Sequence, residues 1–206
     1  ADSDEYLAGM LDDPRIDGVV QSLLGADYNY ATSDGNYYVG DTNWHSDHDL
    51  AAPYHSIKIA FYLDSVNDSS GCLRVFPGSC HFGDQYAGSL DGVVPRTREN
   101  RSEDVWGMHG QELPGFAISS SPGDMLLFNH KTKHSSWGGG AERRMFTYNF
   151  EEHMSGEALP HLVQLLTNAV DREGMVYGEW VLRTAGPERK KHLAQRLQVA
   201  HENCLG

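Results

Sequence analysis

Trp44-His45-Ser46-Asp47-His48-Asp49 brings two imidazoles and two carboxylates into one short segment. His45 and Asp47 are separated by a single residue, so both can reach one ion where the chain turns at the end of a strand. A neutral imidazole with a carboxylate is a mixed nitrogen and oxygen donor set. Such a set suits a divalent transition metal better than calcium or magnesium. His48 and Asp49 stand beside the pair and compete with it on local grounds. A polar strand end without metal can carry the same pattern.

A second segment supplies what the first lacks. The turn Pro122-Gly123-Asp124 opens onto Met125-Leu126-Leu127-Phe128, and the polar run Asn129-His130-Lys131-Thr132-Lys133-His134 follows. A histidine arriving from this distant strand would complete two histidines and one carboxylate on one face of a metal. The opposite face would stay open to exchangeable ligands. Arg143 follows nine residues after His134, at the start of another strand-like segment. A guanidinium one strand away can grip the far carboxylate of a bidentate ketoacid with a two-pronged hydrogen bond. Arg144 is the neighbouring competitor, and strand alternation lets only one of the two point inward. A third segment, Gly71-Cys72-Leu73-Arg74-Val75-Phe76-Pro77-Gly78-Ser79-Cys80-His81, reads as a strand and a Pro-Gly turn. Local physics assigns it no necessary chemistry.

The elements that must position these groups are short and mostly extended. Residues 36–39, 56–63, 72–76, 125–129 and 144–150 are aromatic or β-branched runs bounded by Gly, Asn, Asp and Ser, which predicts strands. Their brevity and turn chemistry point to an antiparallel sandwich or barrel rather than to βαβ units. Residues 1–24 carry helical spacing at Ile16, Val19, Val20, Leu23 and Leu24, with Pro14 near the start and Gly25 as a stop. Helical spacing returns over 156–203. Residues 83–121 are expected to be irregular, either a lid or a plain surface insertion. Trp137-Gly138-Gly139-Gly140 predicts a flexible hairpin loop. Tyr28, Tyr30, Tyr37 and Tyr38 are expected to pack the barrel. The expected organisation is one domain over 1–206, with a β core at about 27–150 and helical flanks at 1–26 and 151–206.

Composition narrows the class. A chain of 206 residues can bury one substantial core. The net charge of -13 disfavours a nucleic-acid partner, because phosphate backbones would be repelled. Cys72, Cys80 and Cys204 are too few and too scattered for a disulfide framework, which fits a reducing compartment. No apolar run approaches a membrane span, and no signal peptide is visible at the start. No membrane partner and a cytoplasmic location are therefore expected. The sequence begins at Ala1 without Met, as a trimmed or partial chain would.

The order of these segments resembles the phytanoyl-CoA dioxygenase family. WHSDHD, SIKIAFYLD, SGCLRVFPGSCHFG, PGDMLLFNHKTKHSSW and ERRMFTYNF follow one another as that family's motifs do, from about residue 35 to 150. The resemblance implies a mainly β fold with flanking helices, a double-stranded β-helix of the jelly-roll, cupin-like kind. It implies an oxygenase that uses Fe(II), 2-oxoglutarate and O2, releases succinate and CO2, and hydroxylates a small-molecule substrate. It makes His45, Asp47 and His134 the metal ligands and Arg143 the anchor of 2-oxoglutarate, with Ser136 helping. Lys58, on an otherwise apolar strand, is either a further co-substrate contact or a lysine that points to solvent. Asp47 stands where halogenases of the wider group carry a small residue, so hydroxylation is the expected outcome. Two departures matter: Cys80 is inserted between Ser79 and His81, and the N-terminal helical part is short. Arg96, Arg98 and Arg101 suggest an anionic substrate. Two other classes remain open on the sequence, a cupin-type metalloenzyme that does not use 2-oxoglutarate and a non-catalytic binding module on the same barrel.

Overall fold

A computed structural model describes residues 1–38, 40–94, 101–139 and 143–204. In chain order they form α1 (Glu5–Met10), α2 (Pro14–Leu24), β1 (Asn29–Tyr38), β2 (Thr42–His45), β3 (Ser56–Tyr62), β4 (Leu73–Val75), α3 (Gln85–Val93), α4 (Ser102–Trp106), β5 (Phe116–Ile118), β6 (Leu126–Asn129), β7 (His134–Ser136), β8 (Arg143–Glu151), α5 (Leu159–Glu173), α6 (Glu179–Arg183) and α7 (Pro187–Asn203). The strands make two four-stranded sheets, ordered β1-β8-β3-β6 and β2-β7-β4-β5. The pairings β2–β7, β4–β7, β4–β5 and β3–β6 are all antiparallel. Among the described residues, no helix is long and apolar enough to cross a membrane.

The chain separates into two compact units, one of residues 1–34, 53–56 and 148–206, the other of 35–52 and 57–147. The first is chiefly helical. Asp13 caps α2 by accepting from the Arg15 amide, Pro14 opens the helix, and Gly25 closes it at a positive φ. Ile16, Val20 and Leu24, one helical turn apart, are its buried face. Tyr28 stacks on His192, and Tyr30 is buried beside Tyr177.

The second unit carries the candidate site. Ala60 and Tyr62 of β3, Leu126 of β6 and Met145 of β8 pack with Cys72 and Ala117. A second cluster of Trp44, Phe76, Val94 and Trp137, with Leu90, Trp106 and Leu113 against it, seats α3, α4 and the Gly110–Glu112 turn. Gly110 and Gly115 have to be glycine there. A Cβ on either would collide with the Trp137 or Trp44 ring.

Several expectations change. Residues 83–121 are not wholly irregular, because their described part contains α3, α4, a 3-10 turn and β5. Asp84 starts α3 by accepting from the Tyr86 and Ala87 amides. Trp137 is no flexible-loop residue. It is buried, and its indole N–H donates to Ser135 Oγ at 2.9 Å. Tyr37 is exposed rather than packed. Arg101 is exposed and lies 3.7 Å from Glu103. Val39, Arg96, Arg98 and Gly140 fall outside the described residues.

Candidate metal centre

Strand pairing places the two histidines. In the antiparallel β2–β7 pair, His45 and His134 are direct Cα partners, and their rings lie 4.2 Å apart. Each ring directs Nδ1 at a main-chain carbonyl two residues earlier: His45 at Asn43 O (2.8 Å) and His134 at Thr132 O (2.9 Å). A carbonyl oxygen can only accept, so each Nδ1 carries the proton. In the neutral imidazole Nε2 is then left with its lone pair, the form that binds metal. Both Nε2 atoms turn to Asp47.

Asp47 sits in the turn after β2. Its N–H donates to His130 O at 2.9 Å, and the His48 N–H shares that acceptor at 3.2 Å. The carboxylate stands 3.7 Å from His45 Nε2 by one oxygen and 3.7 Å from His134 Nε2 by the other. Those gaps are too long for hydrogen bonds. All three ligand atoms lie within 4.8 Å of one another, and among the described residues this is the one such group that could hold an ion. Two neutral imidazoles and a carboxylate on two buried strand ends fit a divalent transition metal with an open face. The competitors drop out: Asp49 is exposed, and His48 packs against His130 with the rings tilted and 4.7 Å apart.

Burial pushes the Asp47 carboxyl upward, but His134 where it is protonated, Lys58, and His130 where it is protonated outweigh it and hold the group well below the usual carboxylate range. With the rings neutral, the ammonium of Lys58 is what remains of that pull. Lys58 is the closest of these. Its Nζ lies 2.7 Å from Asp47 Oδ2, and its side chain is 15% exposed. The solvent-pointing reading of Lys58 is therefore overturned. A buried carboxylate needs a counter-charge, and β3 supplies it from its inner face. Phe128, the Cα partner of Lys58 on β6, puts its ring 4.9 Å from that of His134.

Alternation settles which arginine faces in. Arg143 is 2% exposed, and its Nη1 donates to Ser136 Oγ and to Gly71 O. Ser136 Oγ also donates to Gly71 O at 2.8 Å. Arg144 points to the surface and pairs with Asp64 at 2.7 Å. His134 and Ser136 lie on the same face of β7, a two-residue step of about 6.7 Å apart. Ser136, to which Arg143 donates, thus lies on the same face of β7 as His134.

Tyr62 and Gly71 escaped the reading of the sequence. Burial pushes the Tyr62 phenol up to about 12, against a downward pull from Arg143. Tyr62 shares a face with Lys58 and Ala60, so the two-residue period from Lys58 was the available signal. Of the remaining histidines, His55 and His81 are exposed and His109 is partly exposed. Cys72 is buried, and none of the three cysteines is in a disulfide.

The family model for phytanoyl-CoA dioxygenase (PhyH) matches residues 2–145, which takes in every residue of this centre. The chain belongs to the phytanoyl-CoA dioxygenase family. Within it, the chain is 31% identical over 119 residues to an L-proline trans-4-hydroxylase of Streptomyces griseoviridis, a match covering 52% of this chain and 41% of that protein. The chain thus spans about two fifths of the length of that curated relative. Among solved structures, the chain shares its fold with SnoN, an α-ketoglutarate-dependent epimerase of nogalamycin biosynthesis. That match has a TM-score of 0.53 at 18% identity, covering 73% of this chain and 59% of SnoN. EvdO2 of Micromonospora carbonacea var. aurantiaca aligns at a TM-score of 0.52 with 21% identity, covering 76% of this chain and 67% of EvdO2.

Proposed function

We propose that this chain is an Fe(II)- and 2-oxoglutarate-dependent dioxygenase that hydroxylates a small molecule. The observation that carries the reading is the convergence of His45 Nε2, His134 Nε2 and the Asp47 carboxylate beside a buried arginine. Kinship with a proline hydroxylase supports hydroxylation as the reaction. The sheet orders β1-β8-β3-β6 and β2-β7-β4-β5 support a double-stranded β-helix, since consecutive strands fall in opposite sheets at every step except β4 to β5.

His45, Asp47 and His134 would hold Fe(II). The metal, with 2-oxoglutarate and O2, supplies oxidising power as the ketoacid is converted to succinate and CO2. The chain's own residues do the rest. Asn43 and Thr132 carbonyls fix the imidazole tautomers and orient both rings. Lys58 keeps Asp47 ionised and is within reach of a co-substrate carboxylate beside it. Arg143 and Ser136 receive the far carboxylate of 2-oxoglutarate, one strand step from His134. Burial of this face excludes water, which strengthens each of these charged contacts.

The test is succinate formation from 2-oxoglutarate in anaerobically reconstituted protein on admission of O2, with isothermal titration of the ketoacid alongside. Fe(II)-dependent succinate formation, abolished by His45→Ala, is expected. Protein that binds iron but neither binds 2-oxoglutarate nor forms succinate would overturn the reading.

A further inference from the structure

The Pro77-Gly78-Ser79 turn has no task in the metal centre, yet it is fastened to a ligand strand. Ser79 is fully buried. Its Oγ accepts from the Lys133 amide at 2.9 Å and donates to Phe76 O at 2.6 Å. The Phe76 amide donates to Lys133 O at 2.9 Å. The residue immediately before His134 is thus held by its backbone on both sides.

Its side chain turns inward as well. Lys133 is 1% exposed, and its Nζ lies 2.7 Å from Asp91 Oδ1 and 3.2 Å from Ser46 Oγ. Ser46 is the residue between His45 and Asp47. Asp91 comes from α3, with its carboxylate half-exposed. One ammonium therefore joins the segment that carries two of the candidate ligands to the segment that carries the third. The place where it does so is informative. The β2–β7 ladder pairs Thr42 with Ser136 and His45 with His134, and its register is irregular between them. The ladder sets His45 opposite His134 but ends there, so Ser46 and Asp47 lie beyond it and are placed by other contacts. A buried ammonium loses its hydration, and an apolar side chain of like size would pack there at lower cost. What the ammonium adds is direction, since its N–H groups bond specific acceptors.

We propose that Lys133, held by Asp91, is a positioning residue for the metal centre, fixing through Ser46 the distance between the His45–Asp47 turn and His134. This rests on the reading of His45, Asp47 and His134 as metal ligands. It gives Pro77-Gly78-Ser79 a task too, since Ser79 holds the backbone from which Lys133 reaches.

The experiment titrates metal-stripped protein with Co(II), following affinity and the visible d–d spectrum. Lys133→Met and Asp91→Asn should each weaken Co(II) binding by about tenfold or more and alter the spectrum, as loss of groups that orient metal ligands does. Asp91→Glu should recover most of the affinity. Ser46→Ala deletes one hydroxyl in place, and it should shift the spectrum even if the charge variants fail to fold. Lys191→Met makes the same exchange at a lysine with a 61% exposed side chain paired to Glu188, and it should bind as the wild type does. No Co(II) binding by the wild type would overturn the ligand reading and the tie with it. Wild-type affinity and spectrum in Lys133→Met, Asp91→Asn and Ser46→Ala would overturn the tie alone, even if their apo-protein melting points fell.

Discussion

Replacing Arg143 by lysine is the most discriminating perturbation of the proposed co-substrate site. The charge and most of the stem survive, but the planar fork becomes a single ammonium. Arg143 is 2% exposed and anchored on Ser136 and Gly71, so the lysine is held to the same buried corridor. A carboxylate received by two parallel N–H groups would keep one of its two charge-assisted bonds. Each such bond contributes about 1.5–3 kcal/mol. The loss of one corresponds to about 10- to 150-fold in the dissociation constant of 2-oxoglutarate. Isothermal titration of Co(II)-loaded protein with 2-oxoglutarate measures it directly, and Co(II) affinity without ketoacid serves as the control. Arg144→Lys should leave ketoacid binding unchanged, because that side chain faces outward to Asp64. A change below about threefold for Arg143→Lys would remove the arginine from the co-substrate site. A parallel loss of Co(II) affinity would show that the substitution disturbs the metal centre instead.

Asp47 is held below its ordinary pKa in the folded chain, so its contribution to stability is fully present above the unfolded value of about 3.9 and is lost as pH falls below it. Denaturation of metal-free wild type and Asp47→Asn across pH 2–6 should give a difference that shrinks as pH falls below about 4, and a flat difference would contradict the pairing with Lys58. Gly71→Ala puts a methyl against the Gly139 backbone and the Arg143 guanidinium at a positive φ of 86°. It should lower stability by at least about 1–2 kcal/mol in urea and weaken 2-oxoglutarate binding, and wild-type values in both would refute that packing. Gly110→Ala drives a Cβ into the Trp137 ring and Ser102. It should cost about 1–3 kcal/mol in urea denaturation, and wild-type stability would refute that packing.

How far each element could be read from the sequence depends on what sets it. α2 announces itself, because cap, proline and glycine stop bracket a period that packing then uses. β3, β6 and β8 are apolar enough to be seen, though β1 starts at Asn29, well before the aromatic run that suggested it. The strands that hold the histidines are the hard ones. Thr42-Asn43-Trp44-His45 and His134-Ser135-Ser136 are too short and polar for a period, and pairing makes them strands, with each other and, for the second, also with β4. α3 was missed because Ala87 is its one fully buried residue, too little for a helical stripe. The candidate ligands emerged from the order of motifs along the chain. Lys58 could not be oriented that way. Both faces of β3 are largely buried, so alternation lacks a polar side to mark the outside. Lys133 was hidden for the opposite reason, lying in a run of polar residues that resembles a solvated turn.

The charges of the site make sense only as a set. With both imidazoles neutral, the metal-free centre holds one carboxylate, Asp47, against two cations, Lys58 and Arg143. A divalent metal adds two positive charges and a ketodiacid adds two negative ones, so together they leave the total unchanged. The metal alone would raise the net charge from one positive to three, and low polarity makes that larger imbalance costly, whereas the ketoacid alone would turn it to one negative. Lys58 is the residue that lets the site exist before either arrives, because it neutralises an acid that must stay ionised to serve. Once a metal shares Asp47, the same ammonium is left facing a cation. An anion beside it becomes the favourable neighbour, and under the proposed function that anion is the ketoacid.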